Sequence, residues 1–169
     1  SLAETPGEIT APMNQFGVMS TYPDASFRAV PRTGLDTLFA TAWADLGKEP
    51  LVLSVPDTGG RYYVIALFDM WSNVFTSIGK RNTGTAAASF LIAGPRWQGT
   101  PPPDVKEVFH SPTRFVWVNG QMQADGPQDA LVREVMGQIS EDPSQIVSHL
   151  DGRMGAGLPF YEVLSAGRT

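Results

Sequence analysis

The chain has 169 residues, 42% of them hydrophobic, enough to bury one core and to set a prior of one domain. Its net charge of -5 argues against a nucleic-acid partner, which would require a basic stripe. The absence of cysteine removes disulfides, thiolate nucleophiles and cysteine zinc sites, and leaves reducing and oxidising compartments, bacterial cytoplasm or periplasm, equally open. No apolar run reaches the ~18 residues of a membrane-spanning helix, and no signal-peptide pattern opens the chain. The 14 prolines and 17 glycines suit turns and short strands better than a helical bundle.

Residues 1–12 (SLAETPGEITAP) are polar and aperiodic, the pattern of an extended arm. "DTLFATAWADL" predicts a strand, with Thr37, Phe39, Thr41 and Trp43 as β-formers on one face. "EPLVLSVPD" predicts another, in which Leu51, Leu53 and Val55 alternate with Val52 and Ser54 between bracketing prolines. After the turn "DTGG", the stretch "RYYVIALFDMWSNVF" is the longest strand candidate. Both of its faces are apolar, so it is expected near the sheet centre and covered on both sides. "ASFLIAGP", "VKEVFHSP" and "RFVWVNGQMQ" continue the short strands, with Thr100–Asp104 as a stiff polyproline-like connector.

Beyond Gln123 the period changes. Asp125 and Gln128 form a capping box ahead of the helical stripe Leu131, Val132, Val135, Met136 and Ile139. A second helix is expected from Asp142-Pro143, carrying Ile146, Val147 and Leu150, and a third from "LPFYEVL". The expected fold is therefore α+β: a β-rich antiparallel sheet, sandwich- or barrel-like, with helices at the C-terminal end. The arm covers 1–12, the β-rich domain 13–140 and a helical linker 141–169.

The segment "IGKRNTGTA" invites a phosphate-loop reading, and its details refuse it. The motif requires a glycine five positions before Gly79, where Val74 stands, and Ser or Thr after Lys80, where Arg81 stands. A strand rather than a helix is expected next, so the amides of a helix N-terminus are missing. Two readings stay open: a solvated hairpin tip, or an anion clamp of Lys80 and Arg81 with Thr83 and Thr85 as further donors.

Taken together, "APMNQF" (11–16), Leu35–Trp71, "GKRNTGT", "AGPRWQG" (93–99), "SPTRFVWV" (111–118) and "DGPQD" (125–129) closely resemble the family called domain of unknown function 1254. The resemblance spans roughly Ala11 to Val132. It implies a helical stretch before the first block and a second, jelly-roll domain, domain of unknown function 1214, after the last. Both neighbours are missing from this sequence, so a fragment, a processed piece or one chain of a split protein is expected. A second domain or chain of the same protein, or a homodimer, is expected to cover the ends near Met13–Phe16 and Leu158–Leu164. Family members read R-P-N-x-D-T-L-Y where this chain has Arg32 to Phe39, and G-R-T where it has Gly120, Gln121 and Met122. The missing asparagine, phenol and guanidinium imply an altered polar pocket and weigh against catalysis.

The chemistry-bearing residues support two classes of function. The leading one is a small-molecule-binding or scaffold domain, with an anionic ligand held by Thr37, Arg61, Tyr63, Trp71, Lys80, Arg81 and Thr83. The alternative is an enzyme with carboxylate acid–base or hydrolytic chemistry, using Asp36 as base and Asp69 as acid. Asp69 interrupts an apolar face and requires a partner, for which Arg61, Arg81 and Tyr63 are candidates. His110 and His149 lack the spacing of a histidine zinc site, and Ser72 and Ser111 lack a nucleophile elbow. No cofactor, metal, nucleic acid or membrane is implied.

Overall fold

The computed structural model describes residues 11–19 and 37–124, and the backbone of 146–150 and 153–154. Ten strands run through these residues: β1 (Phe16–Val18), β2 (Thr37–Asp45), β3 (Leu51–Val55), β4 (Tyr63–Phe68), β5 (Val74–Gly79), β6 (Ala88–Ala93), β7 (Val105–His110), β8 (Phe115–Gln123), β9 (Ile146–Leu150) and β10 (Arg153–Met154). They form two five-stranded sheets, ordered β1-β2-β8-β4-β5 and β10-β9-β3-β6-β7. The described residues contain no helix.

Period-two burial explains how the sheets associate. In β2, Leu38, Ala40, Ala42 and Ala44 are buried while Thr37, Phe39, Thr41 and Trp43 face outward; β8 repeats this with Val116, Val118 and Met122 inside. These side chains share one core with Leu51, Leu53, Val55, Phe90 and Ile92 of the second sheet. Asn14 ties the entering chain to β2, since its amide donates to the Trp43 carbonyl (2.7 Å) and its Oδ1 accepts from the Asp45 amide (2.8 Å). Its φ of 65° is one that asparagine tolerates better than most residues.

Four expectations change. The long strand of residues 61–75 is a hairpin: β4 ends at Phe68, residues 69–73 turn, and β5 returns. Double-sided burial falls on β3 and β6, where Val52 and Leu91 are buried opposite the core face, while Val64, Ala66 and Phe68 of β4 stay partly exposed. The sheets are antiparallel except for β6 and β7, which run parallel. A crossover through residues 94–104, with turns at 95–96 and 103–104, makes this geometry reachable. Ile146–Leu150 forms strand β9 on the edge of β3, where a helix was expected. Two β-branched residues and an open row of β3 backbone groups outweigh the helical spacing. The stripe at 131–139 and the helix from Leu158 lie outside the described residues.

Two glycines separate steric from conformational demand. A Cβ on Gly79 would stand 2.6 Å from the Tyr63 carbonyl oxygen, whereas Gly84 has open space but φ +87°. Gly79→Ala should lose roughly 1–3 kcal/mol and Gly79→Asn no less, because backbone cannot move aside. Gly84→Ala should lose about 1–2 kcal/mol, most of it recovered in Gly84→Asn. Urea denaturation of the four variants checks this; equal tolerance of asparagine at both positions would contradict it.

Candidate functional site

Asp69 builds the β4–β5 turn. Its Oδ1 accepts from the amides of Trp71 (2.8 Å) and Asn73 (2.9 Å), and its Oδ2 from the Asn73 side chain (3.1 Å). The partners anticipated from sequence, Arg61, Arg81 and Tyr63, are therefore replaced by local turn donors, the usual role of aspartate in a tight turn. Burial opposes ionisation of this carboxyl, but the Asn73 amide, the Asn73 side chain and the Trp71 amide outweigh it. The group sits below the ordinary value of 3.8. Asp36 lies outside the described residues. Its chain neighbour Thr37 opens β2 beside Gln123, while Asp69 follows Phe68, which pairs with Trp117 at the other end of the sheet.

The remaining sequence candidates fall into two groups. Thr37, Arg61, Tyr63, Lys80, Arg81 and Thr83 lie at the β4-start end of the first sheet; Trp71 projects from the opposite turn and is 78% exposed. The loop after β5 is closed on itself. The Gly79 carbonyl accepts from the amides of Asn82, Thr83 and Gly84, and the Lys80 amide donates to the Tyr63 carbonyl. Thr83, which is buried, accepts the Gly79 amide at 3.0 Å and donates back to the Gly79 carbonyl. The Lys80 ammonium donates to the Gly60 carbonyl (2.7 Å), and Arg81 stacks over the Tyr62 ring at 5.3 Å. These amides hold the loop together and form no phosphate cradle.

Two of the cavities among the described residues bear on function. One is an apolar cleft of about 20 Å³ between the sheets, lined by Phe16, Val55, Tyr63, Gly120 and Met122; the Tyr63 hydroxyl points out of it to the Gly84 carbonyl (3.0 Å). It is large enough for about one water molecule. Gln121 and Met122, two of the positions at which the sequence departs from the motif expected for the family, border this cleft.

The other is polar, about 250 Å³, and lies between the β2–β3 and β6–β7 connections. Lys48, Glu49, Arg96, Trp97, Gln98 and Arg114 line it. Sequence reasoning missed it because its residues come from three separate segments, "GKEP", "GPRWQG" and Arg114. Backbone proximity creates it: the Leu46 amide donates to the Arg114 carbonyl (2.8 Å), and a Cβ on Gly94 would stand 2.9 Å from the Leu46 carbonyl oxygen. Arg114 makes a two-point bond to Asp45, 2.7 Å at each oxygen. Those Arg114 hydrogen bonds hold the Asp45 carboxyl below its ordinary value against the effect of partial burial. Lys48 and Arg96 are exposed, and neither side chain makes a hydrogen bond within the described residues. Trp97 packs beside His110 with ring centroids 6.1 Å apart. The described residues contain no cluster of three metal-ligating side chains.

This architecture defines a two-sheet β domain with a polar surface hollow and no acid–base constellation among the described residues. The chain belongs to DUF1254, a protein family of unknown function, which it matches over residues 13–140. Its fold is similar to that of the VPA0106 protein from Vibrio parahaemolyticus: 31% identity, TM-score 0.64, covering 76% of this chain and 29% of that one. An uncharacterised protein from Burkholderia cenocepacia aligns at 14% identity and TM-score 0.47, covering 69% of this chain and 33% of that one. The chain thus spans about a third or less of these solved structures. No curated protein matches it.

The lowered pKa of Asp69 fixes a pH dependence. A carboxyl depressed by folding contributes stability that is fully present above its unfolded value, near 3.8, and is lost as pH falls through the folded value. Asp69→Asn should therefore be less stable than wild type at neutral pH, with the gap closing as pH drops below 3.8. Thermal melts of both proteins between pH 7 and pH 2 measure it, and a gap constant over that range would refute the assignment.

Proposed function

We propose that this domain binds a small carboxylate or phosphate in the hollow beside Lys48 and Arg96, as a non-catalytic part of a longer two-domain protein. One observation carries the reading: two exposed cations with no hydrogen-bond acceptor among the described residues, the Gln98 amide and the Trp97 ring converge on one 250 Å³ space. The planar guanidinium of Arg96 can hold a carboxylate or phosphate by two hydrogen bonds, with Lys48 as a point charge. Trp97 offers a flat wall to the ligand's apolar body. Among the described residues, Lys48, Arg96 and Arg114 against Glu49 and Asp45 leave one net positive charge around the hollow, in a protein of net charge -5. Its volume is near the lower end of small-molecule pockets, ~300–1,000 Å³.

The enzyme reading loses support from Asp69, whose oxygens serve the turn. The Lys80–Arg81 loop is the other cationic candidate. Its Lys80 and Arg81 already meet Gly60 and Tyr62, so it provides the control.

Thermal shifts with phosphate, citrate and benzoate, against glycerol and benzamide, test the proposal. At tenfold excess over Kd the acids should raise Tm by roughly 3–5 °C. The Lys48→Ala/Arg96→Ala double variant should abolish the shift, and Lys80→Ala/Arg81→Ala should retain it. Acids that stabilise no more than neutral analogues overturn the proposal; the reverse pattern of variants moves the site to the loop.

A further inference from the structure

The outer face of the first sheet is unlike a solvated surface. Along it, Thr37, Phe39, Thr41 and Trp43 of β2 stand beside Trp117, Asn119 and Gln121 of β8, followed by Val64, Ala66 and Phe68 of β4. None of these residues is charged; the only charged group in the outward register of β2, β8 and β4 is Asp45 at the rim, which Arg114 neutralises. By contrast, edge strand β7 exposes Lys106 and Glu107, the usual dressing of a sheet that meets water.

The apolar groups also form one row. Trp43 pairs with Trp117, Trp117 with Phe68, and Phe68 with Val74, so four strands contribute to a single transverse line. The rings are stacked, with centroids 5.9 Å apart for Trp43 and Trp117 and 4.8 Å for Trp117 and Phe68. The Trp117 indole N–H is satisfied by Thr41 (2.7 Å), which leaves an apolar ridge already locked in place. Four of the five exposed large hydrophobic residues among the described residues (Trp43, Met70, Trp71 and Val74) lie on this row or on the β4–β5 turn beside it.

We propose that this face is the interface of a homodimer in which two copies pack sheet against sheet. Depletion of charge with enrichment of tryptophan, phenylalanine and methionine is the composition of an interface core. The row supports a second copy as the occupant because it is self-complementary. About Trp117 it sets one aromatic residue on either side, Trp43 and Phe68, and Trp117 lies on β8, the central strand of the five. A two-fold axis running along β8 sets Trp117 against its own copy and Trp43 against the partner's Phe68. The area agrees. The five strands hold 3, 9, 9, 6 and 6 residues, and at about 3.4 Å rise and about 4.8 Å spacing they give a face of roughly 540 Å². Two such faces bury about 1,100 Å², close to the lower end of the range for specific interfaces, and the turn bearing Met70 and Trp71 adds to it.

Sedimentation equilibrium of the 169-residue chain tests the proposal, with a dimer of 18.3 kDa subunits expected. Trp43→Asp and, separately, Val74→Lys should each weaken association roughly 30-fold or more, with the β circular-dichroism spectrum unchanged. Val74 is on an edge strand where lysine is well tolerated, so this variant remains informative if Trp43→Asp fails to fold. Because the chain has no cysteine, Asn119→Cys introduces a single thiol two residues from Trp117. A short bis-maleimide should join it to its copy across sheets about 10 Å apart, while Glu107→Cys on β7 should stay uncoupled. A monomer at all concentrations overturns the proposal and assigns the face to a different polypeptide. A dimer insensitive to Val74→Lys, with no cross-link at position 119, overturns it equally by moving the contact elsewhere.

Discussion

The unbroken pairing of β2 with β8, from Thr37 opposite Gln123 to Asp45 opposite Phe115, governs the rest of the domain. Side chains alternate along both strands, so this register sends Leu38, Ala40, Ala42 and Ala44 with Val116, Val118 and Met122 into the core. The same register sends Trp43 and Trp117 outward. A slip of one residue would exchange the two faces, burying Thr37, Thr41 and Asn119 and exposing the core. Both edges of the pair are then built on: β4 joins β8, and β1 joins β2 through the Asn14 clamp. The small inward alanines of β2 share the interior with the larger Leu51, Leu53 and Phe90 of the second sheet.

Residues that look like chemistry in this chain are in several cases the carpentry of its turns. Asp69 gives both oxygens to residues 71 and 73, Thr83 exchanges two hydrogen bonds with Gly79, and Ser111 holds Thr113 by accepting its amide and donating to its carbonyl. Each of these polar groups satisfies donors or acceptors of the turns that join the strands. The hollow at Lys48 and Arg96 differs in this respect. There the cations project from two connections, and their charge is directed at solvent.

Strands with clean alternation or β-branched runs were legible from sequence. β2, β3, β6, β7 and β8 fall within the segments expected for them, because burial on one or both faces leaves a direct pattern. The hairpin after Phe68 was hidden. Met70, Trp71, Val74 and Phe75 continue an apolar run, and only the hydrogen bonds of Asp69 reveal the bend. The parallel β6–β7 pair was hidden as well, since strand direction depends on the path of residues 94–104 and not on the strands themselves. For Ile146–Leu150, helical spacing competed with a vacant strand edge that only the folded sheet supplies. The clustering of Tyr63, Lys80, Arg81 and Thr83 followed from the hairpin, whereas the polar hollow joins segments more than sixty residues apart (Asp45 to Arg114 spans 69) and leaves no local motif.

The distance along the chain between β2 and β8 also shapes how the domain is made. Thr41 and Trp117, hydrogen-bonded in the finished sheet, are separated by 76 residues. At ~5–20 residues per second, a ribosome needs roughly 4–15 s to cover that stretch. During that time the β4–β5 hairpin can close locally in microseconds, but β2 has no central partner. Its tryptophan and alanines meet water, and its backbone offers an unpaired strand edge, until Phe115–Gln123 emerges. Nascent-chain vulnerability is therefore concentrated in Thr37–Asp45, and the last strand of the first sheet to be synthesised is the one that ends it.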